Sequence, residues 1–176
     1  ILLGMGMPTT AAYAVAASVV APGLQQIGIP PLVAHFFVFY YAVLSAITPP
    51  VALAGYAAAA ISGTDPLKTA VTSFKFGLAA FIVPFMFFYS PALLMQGGWG
   101  EVLRVFITAS AGIYLLAASI QGWFLNGSVN RVQRCILLVA ALAMIAGGLL
   151  TDAIGIGLSA LVLFWQLATR RTALAS

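Results

Sequence analysis

Charge is what this sequence has least of. Its 176 residues carry seven Lys and Arg and three Asp and Glu, so only 6% are charged, while 63% are hydrophobic. A water-soluble domain needs roughly 25% charged residues to keep its surface wet. Ten charges cannot cover a globule of 18.3 kDa, and the mean hydropathy of +1.12 agrees. The one cysteine, Cys135, excludes an internal disulfide and a Cys-based metal site, and packing in a helix is the expectation for it. The lone histidine, His35, excludes a His-cluster metal centre. The seven basic residues are scattered between apolar runs, which argues against a nucleic-acid face. Ile1-Leu2-Leu3 has no basic region of a cleavable signal and leads straight into a Gly/Pro motif, the expectation for a piece of a longer chain.

What fills the sequence is a series of apolar runs of about 20 residues, the length that crosses roughly 30 Å of hydrocarbon. The expected fold is all-α: a polytopic transmembrane helical protein with a re-entrant hairpin arm, one Pro-broken helix and about five spans. The arm is a half helix over 9–21, ended by Pro22-Gly23. The spans are 31–62, interrupted at Thr48-Pro49-Pro50, then 70–95, 103–125, 133–150 and 154–169. The last two form a hairpin turning at Leu150-Thr151-Asp152. Residues 96–102 divide a Pro-broken part, 1–95, from a more regular three-helix extension, 103–176.

The charges orient these spans. Lys68, Lys75, Arg131, Arg134, Arg170 and Arg171 fall on one side with Asp65, against Arg104, Glu101 and Asp152 on the other. Such a bias places the basic side, with loops 63–75 and 126–134 and the C-terminus, in the cytoplasm. Trp99, Trp123 and Trp165 then fall near span ends, where interfacial aromatics anchor.

With this orientation the N-terminal end of the half helix lies part-way into the bilayer. Gly4 and Gly6 permit unusual dihedrals there, and Pro8 suits a first helical turn. The following N–H groups, with the Thr9 and Thr10 hydroxyls, make a candidate anion site. The second break, Ser45-Ala46-Ile47-Thr48-Pro49-Pro50, removes two backbone donors. Carbonyls over Leu44–Ile47 are expected to lose their partners and, with the Ser45 and Thr48 hydroxyls, to offer oxygen ligands to Na⁺. One Pro kink or one Gly-rich turn is ordinarily structural. Two discontinuous segments at one depth are the physical signature of a secondary transporter.

GMGMPTTAAYAVAAS, GIPPLVAHFFVFYYAVLSAITPPVALAGYAAAAISGTDP and FKFGLAAFIVPFMFFYSPALL occur here in that order. Residues 1–95 thereby resemble the C-terminal half of the large membrane subunit of TRAP (tripartite ATP-independent periplasmic) transporters, most closely fused permeases of the TAXI subgroup. The resemblance implies an elevator-type carrier of the bacterial inner membrane, coupled to Na⁺ or H⁺ and fed by a periplasmic binding protein. It implies small organic acids, glutamate and related dicarboxylates among them, as substrates. On that pattern Gly4–Thr10 is the outward hairpin tip and Ser45–Pro50 the unwound helix beside it. The family's first hairpin, its partner helix and the small subunit's helices are missing from the sequence, so these 176 residues are not expected to transport alone. Residues 103–176 resemble the helical tail of fused permeases.

Several residues invite other readings. His35 can relay protons, but near a span end a polar anchor is the plainer role. Asp152 and Glu101 are placed in loops, where solvation or a salt bridge is expected. Tyr13, Tyr40, Tyr41 and Tyr56 can face a cavity, though aromatic packing is the ordinary use. Gly147-Gly148 and the Gly155/Gly157 pair are expected to let helices approach closely. No cofactor motif is present, and no paired carboxylates, metal ligands or His-assisted nucleophile support an enzyme. The competing classes are a re-entrant-loop channel and a non-transporting structural subunit.

Overall fold

Proline and glycine set most element boundaries in the computed structural model, which describes residues 6–125 and 127–174, with side chains through Leu167. Helix α1 (Thr9–Gln26) follows Pro8, and α2 (Pro31–Leu44) opens with Pro at its first position, where no N–H is missed. A 3-10 turn, Ser45–Ile47, ends α2, and the chain resumes as α3 (Leu53–Ser62). Asp65 caps α4 (Pro66–Gly77) by accepting from Lys68 N, and a 3-10 segment, Leu78–Ile82, leads into α5 (Val83–Tyr89). Then come α6 (Trp99–Gln121), a two-stranded ribbon of β1 (Trp123–Phe124) and β2 (Gly127–Ser128), α7 (Arg131–Ile145) and α8 (Leu149–Leu174). The ribbon is antiparallel, pairing Trp123 with Ser128 and Phe124 with Gly127.

The chain divides into two compact units, Ile1–Phe88 and Tyr89–Ser176. In the first, α1 packs on α2 through Ala21, Ala34 and Val38, all buried. Gly55 lets α3 meet α4: a Cβ there would lie 2.9 Å from Ala70 Cα. Phe37 sets its edge against Phe85 and Phe88, and Tyr40 against Phe87, so α2 and α5 share an aromatic face.

In the second unit α7 packs against both α6 and α8. Gly112 faces Ile145 and Met144, while Gly155 lies against Met144 and the Ala140 carbonyl. Arg134 ties helix ends together, donating to Ser119 O at 2.7 Å and Ile120 O at 2.6 Å, the carbonyls left open where α6 stops. Ser119 Oγ returns a bond to Arg134 O, and an Asn130–Gln133 capping box starts α7. Gln166, from α8, is buried and donates to Phe124 O in the ribbon.

The all-α membrane fold holds, with the near-absence of strand among the described residues. Pro66–Tyr89, Trp99–Gln121 and Leu149–Leu167 are each long and apolar enough to cross a bilayer. Pro31–Ile47 and Leu53–Ser62 are the shorter apolar halves on either side of the break. Phe76, Phe106 and Phe164 are more than half exposed, as suits a lipid solvent and not water.

Several boundaries differ from expectation. The first helix does not stop at Pro22-Gly23 but runs through Pro22 to Gln26; near a helix end that proline forfeits one hydrogen bond only. The third span starts at Pro66, not residue 70, because Asp65 and Pro66 form a cap and first turn, which puts Lys68 and Lys75 inside α4. The last hairpin turns at Ala146-Gly147-Gly148, with Gly147 at φ +73°, not at Leu150–Asp152. Glu101 and Asp152 are accordingly in the first turns of α6 and α8, not in loops. Acidic groups there suit the positive helix end. Cys135 is exposed on α7 and does not pack. Gly147 serves the turn, Gly155 the close helix approach, and Gly157 has nothing within 4 Å.

Candidate functional site

The interrupted helix 31–62 carries no charged side chain, so its chemistry rests on backbone and hydroxyl groups. Thr48 is extended at φ −96°, ψ 119°, as a residue before proline must be. The Pro49–Pro50 peptide is cis, and Ala52, wholly buried, takes the left-handed conformation at φ 33° before α3 starts. Such a geometry is uncommon for a residue with a Cβ and persists only where the surroundings impose it.

The carbonyls of this break are not all orphaned, contrary to expectation. Thr48 Oγ1 donates to Leu44 O at 2.8 Å, and Thr48 N to Ser45 O at 3.2 Å. Ser45 Oγ donates to Ala42 O at 2.7 Å, and Ala52 N to Thr48 O at 3.0 Å. The Tyr56 hydroxyl donates to Pro50 O. The Thr48 N–H thus shifts to Ser45 O, the acceptor Pro49 cannot serve, and the Thr48 hydroxyl takes over Leu44 O, which that N–H would have served in a regular helix. A hydroxyl donating its one hydrogen keeps its oxygen lone pairs, so Thr48 Oγ1 can still accept while it donates to Leu44 O. Ile47 meanwhile packs against Gly77 of α4, where a Cβ would collide with its terminal methyl.

The first motif meets this break. Gly6 has φ +81°, and a Cβ built on it would lie 3.7 Å from Val51 Cγ1. That is ordinary contact, so the glycine is required by its dihedral and not by space. Pro8 stands at the N-cap of α1 and makes no side-chain cap bond, and its carbonyl accepts from Ala12 N at 2.9 Å. Thr9 is half-buried and Thr10 exposed. Gly4 lies outside the described residues. The structure therefore brings Gly6 beside the 48–52 break, and it gives no direct bond between Thr9 or Thr10 and Ser45–Pro50.

Residues 1–101 match the family model for the tripartite ATP-independent periplasmic transporter, DctM component. The chain belongs to the DctM family. The match takes in both backbone breaks and the span through Tyr89, and stops just inside α6. No curated protein and no solved structure matches the chain. The DctM component belongs to a transporter and its family is not an enzyme family, so this chain is part of a TRAP secondary transporter.

Sequence reasoning missed the hydroxyl capping by Tyr41 and Tyr56. Tyr41 donates to Phe81 O at 2.8 Å, in the 3-10 segment ahead of Pro84; Pro84 has no N–H to offer three residues back. The available signal was a tyrosine on a helix next to a proline-interrupted one. Aromatic packing of Tyr13, Tyr40 and Tyr41 is as expected. Asp152 forms the anticipated salt bridge, with Arg104 at 3.4 Å.

Proposed function

We propose that residues 1–95 are the C-terminal part of the carrier domain of a TAXI-type fused permease in the bacterial inner membrane. It takes up small carboxylates, dicarboxylate or glutamate-like, that a periplasmic binding protein delivers. An inward Na⁺ or H⁺ gradient drives it. The observation that carries this reading is the nearness of Gly6 to Val51, whose Cγ1 would lie 3.7 Å from a Cβ built on the glycine; it brings two uncharged, non-helical segments close together in an apolar chain. Non-helical backbone at membrane depth is tolerated only within protein or along a watery cavity.

In this reading the N-terminus of α1, with Thr9 and Thr10, holds the anionic substrate group. Gly4, Gly6 and Pro8 shape the approach. Ser45 and Thr48 supply oxygen lone pairs to the coupling cation, and Ala46, Ile47, Pro49 and Pro50 keep the segment unwound. The ends of α4 and α7 that carry Lys68, Arg131 and Arg134 face the cytoplasm, as does the C-terminus. Residues 103–176 are a membrane extension, and the missing hairpin and small-subunit helices complete the permease. The test is uptake in vesicles holding the complete permease and its binding protein. Thr9→Ala and Thr48→Ala should each impair ion-coupled uptake, and unchanged transport in both would sink the site assignment.

A further inference from the structure

Helices α1 and α2, joined by residues 27–30, pack on one another through a face rich in alanine, with Val20, Leu24, Ile29 and Val38 beside it. Ala12, Ala21 and Ala34 are wholly buried, and Ala16 and Ala17 pack beside the Ala21–Ala34–Val38 cluster. Small side chains let helices approach closely, and apolar packing of this kind carries no directional bond. Neither helix contains Asp, Glu, Lys or Arg. Into this face one directional contact is set: Tyr13 Oη lies 2.9 Å from His35 Nδ1. The Tyr13 ring also meets His35 and Phe39 edge-on, with centroids at 6.2 and 5.7 Å. Leu32, Phe36 and Phe39 line a shallow groove around the pair, and apolar walls strengthen a hydrogen bond they shelter.

We propose that Tyr13 and His35 are positioning residues, a clasp that fixes the register of α1 along α2 and so holds Gly6–Thr10 opposite the Ser45–Ala52 break. With the imidazole neutral and its hydrogen on Nε2, the phenol donates to Nδ1. Tyr13 lies one helical turn from Thr9, so a slip of α1 at the clasp displaces the whole N-terminal turn. Helix α2 carries the same constraint from His35 towards Val51. Neither residue touches the transported solute. This inference rests on the proposed site, and it gives His35 a role other than relaying protons.

The test uses the complete permease with its binding protein in vesicles, varying coupling ion and substrate. Tyr13→Phe keeps the ring contacts and removes the donor. His35→Gln displaces the acceptor, and His35→Asn retains one near the Nδ1 position. The account expects Tyr13→Phe and His35→Gln each to raise the half-saturating ion concentration about three- to tenfold, the range one lost hydrogen bond gives. Membrane abundance should be unchanged and His35→Asn should recover most of the effect. The Tyr13→Phe/His35→Gln double variant should be no worse than the poorer single, because both remove one interaction. Wild-type half-saturation in Tyr13→Phe, or additive losses in the double variant, would overturn the clasp. Thr48→Ala, run alongside, separates the two claims: if it is impaired while Tyr13→Phe is normal, the clasp alone fails. Wild-type behaviour of Thr48→Ala removes the site on which the clasp depends.

Discussion

A Cβ built on Gly6 would lie 3.7 Å from Val51 Cγ1, so the turn ahead of α1 lies close to the proline break between α2 and α3. Neither segment carries a charge, and each is non-helical where a membrane chain would ordinarily be regular. The proposed site therefore rests on backbone geometry and not on charge.

Gly6→Ala follows directly. The added methyl has room, at 3.7 Å from Val51, but φ +81° costs an L-residue about 1–2 kcal/mol. The turn should relax to a different dihedral and uptake should fall severalfold, with Gly6→Asn milder because asparagine tolerates this region better. Uptake by the two variants at matched membrane abundance checks the order. Equal, wild-type activity in both would show that the dihedral is immaterial.

Gly155 and Gly157 form an internal control in α8. A Cβ at Gly155 would meet Met144 and come within 2.9 Å of the Ala140 carbonyl, which is backbone and cannot yield cheaply; at Gly157 it meets nothing within 4 Å. Gly155→Ala should therefore destabilise by about 1–3 kcal/mol through overpacking, and Gly157→Ala should be close to neutral. Thermal unfolding in detergent measures both, and similar melting temperatures would contradict the close α7–α8 approach.

Arg104 and Asp152 predict an asymmetry. Asp152 is 8% exposed at its side chain, with Oδ1 lacking a hydrogen-bond partner among the described residues, whereas Arg104 is 34% exposed. Arg104→Met strands a buried carboxylate, a change that costs roughly 3 kcal/mol when a pair is fully buried and less here. Asp152→Asn leaves an arginine that can turn to the solvent side, at a cost nearer the roughly 1 kcal/mol of exposed pairs. Thermal stability should drop more for Arg104→Met, and the reverse order would refute this account of the pair.

What the sequence made legible was local. Thr48-Pro49-Pro50 must break a helix wherever it stands, because two N–H groups are missing, and the break is found over 48–52 between helices ending at Ile47 and starting at Leu53. Asp65-Pro66 was equally legible as a cap and first turn, but hydropathy alone placed that helix start too late. The turn at Gly147 was obscured because glycine pairs in apolar runs serve turns and close packing alike. Interactions between distant residues were out of reach: nothing local links Arg104 to Asp152, Tyr13 to His35 or Tyr41 to the Phe81 carbonyl. The same holds for Thr48, whose hydroxyl was read as a free ligand and also serves to restore the bond at Leu44 O.

Thr48 gives the most direct test of the central claim, that the two backbone breaks form the ion-coupled site of a carrier. Thr48→Val keeps the shape and removes the oxygen; Thr48→Ser keeps the oxygen. In vesicles with the complete permease and its binding protein, an imposed inward Na⁺ or proton gradient should drive saturable carboxylate accumulation that vanishes when the gradient is collapsed. Thr48→Val should raise the half-saturating concentration of the coupling ion by about tenfold, the scale of one lost hydrogen-bonding or ligand oxygen, and Thr48→Ser should stay near wild type. Non-saturating flux that ignores the gradient, or a Thr48→Val permease indistinguishable from wild type, would contradict it.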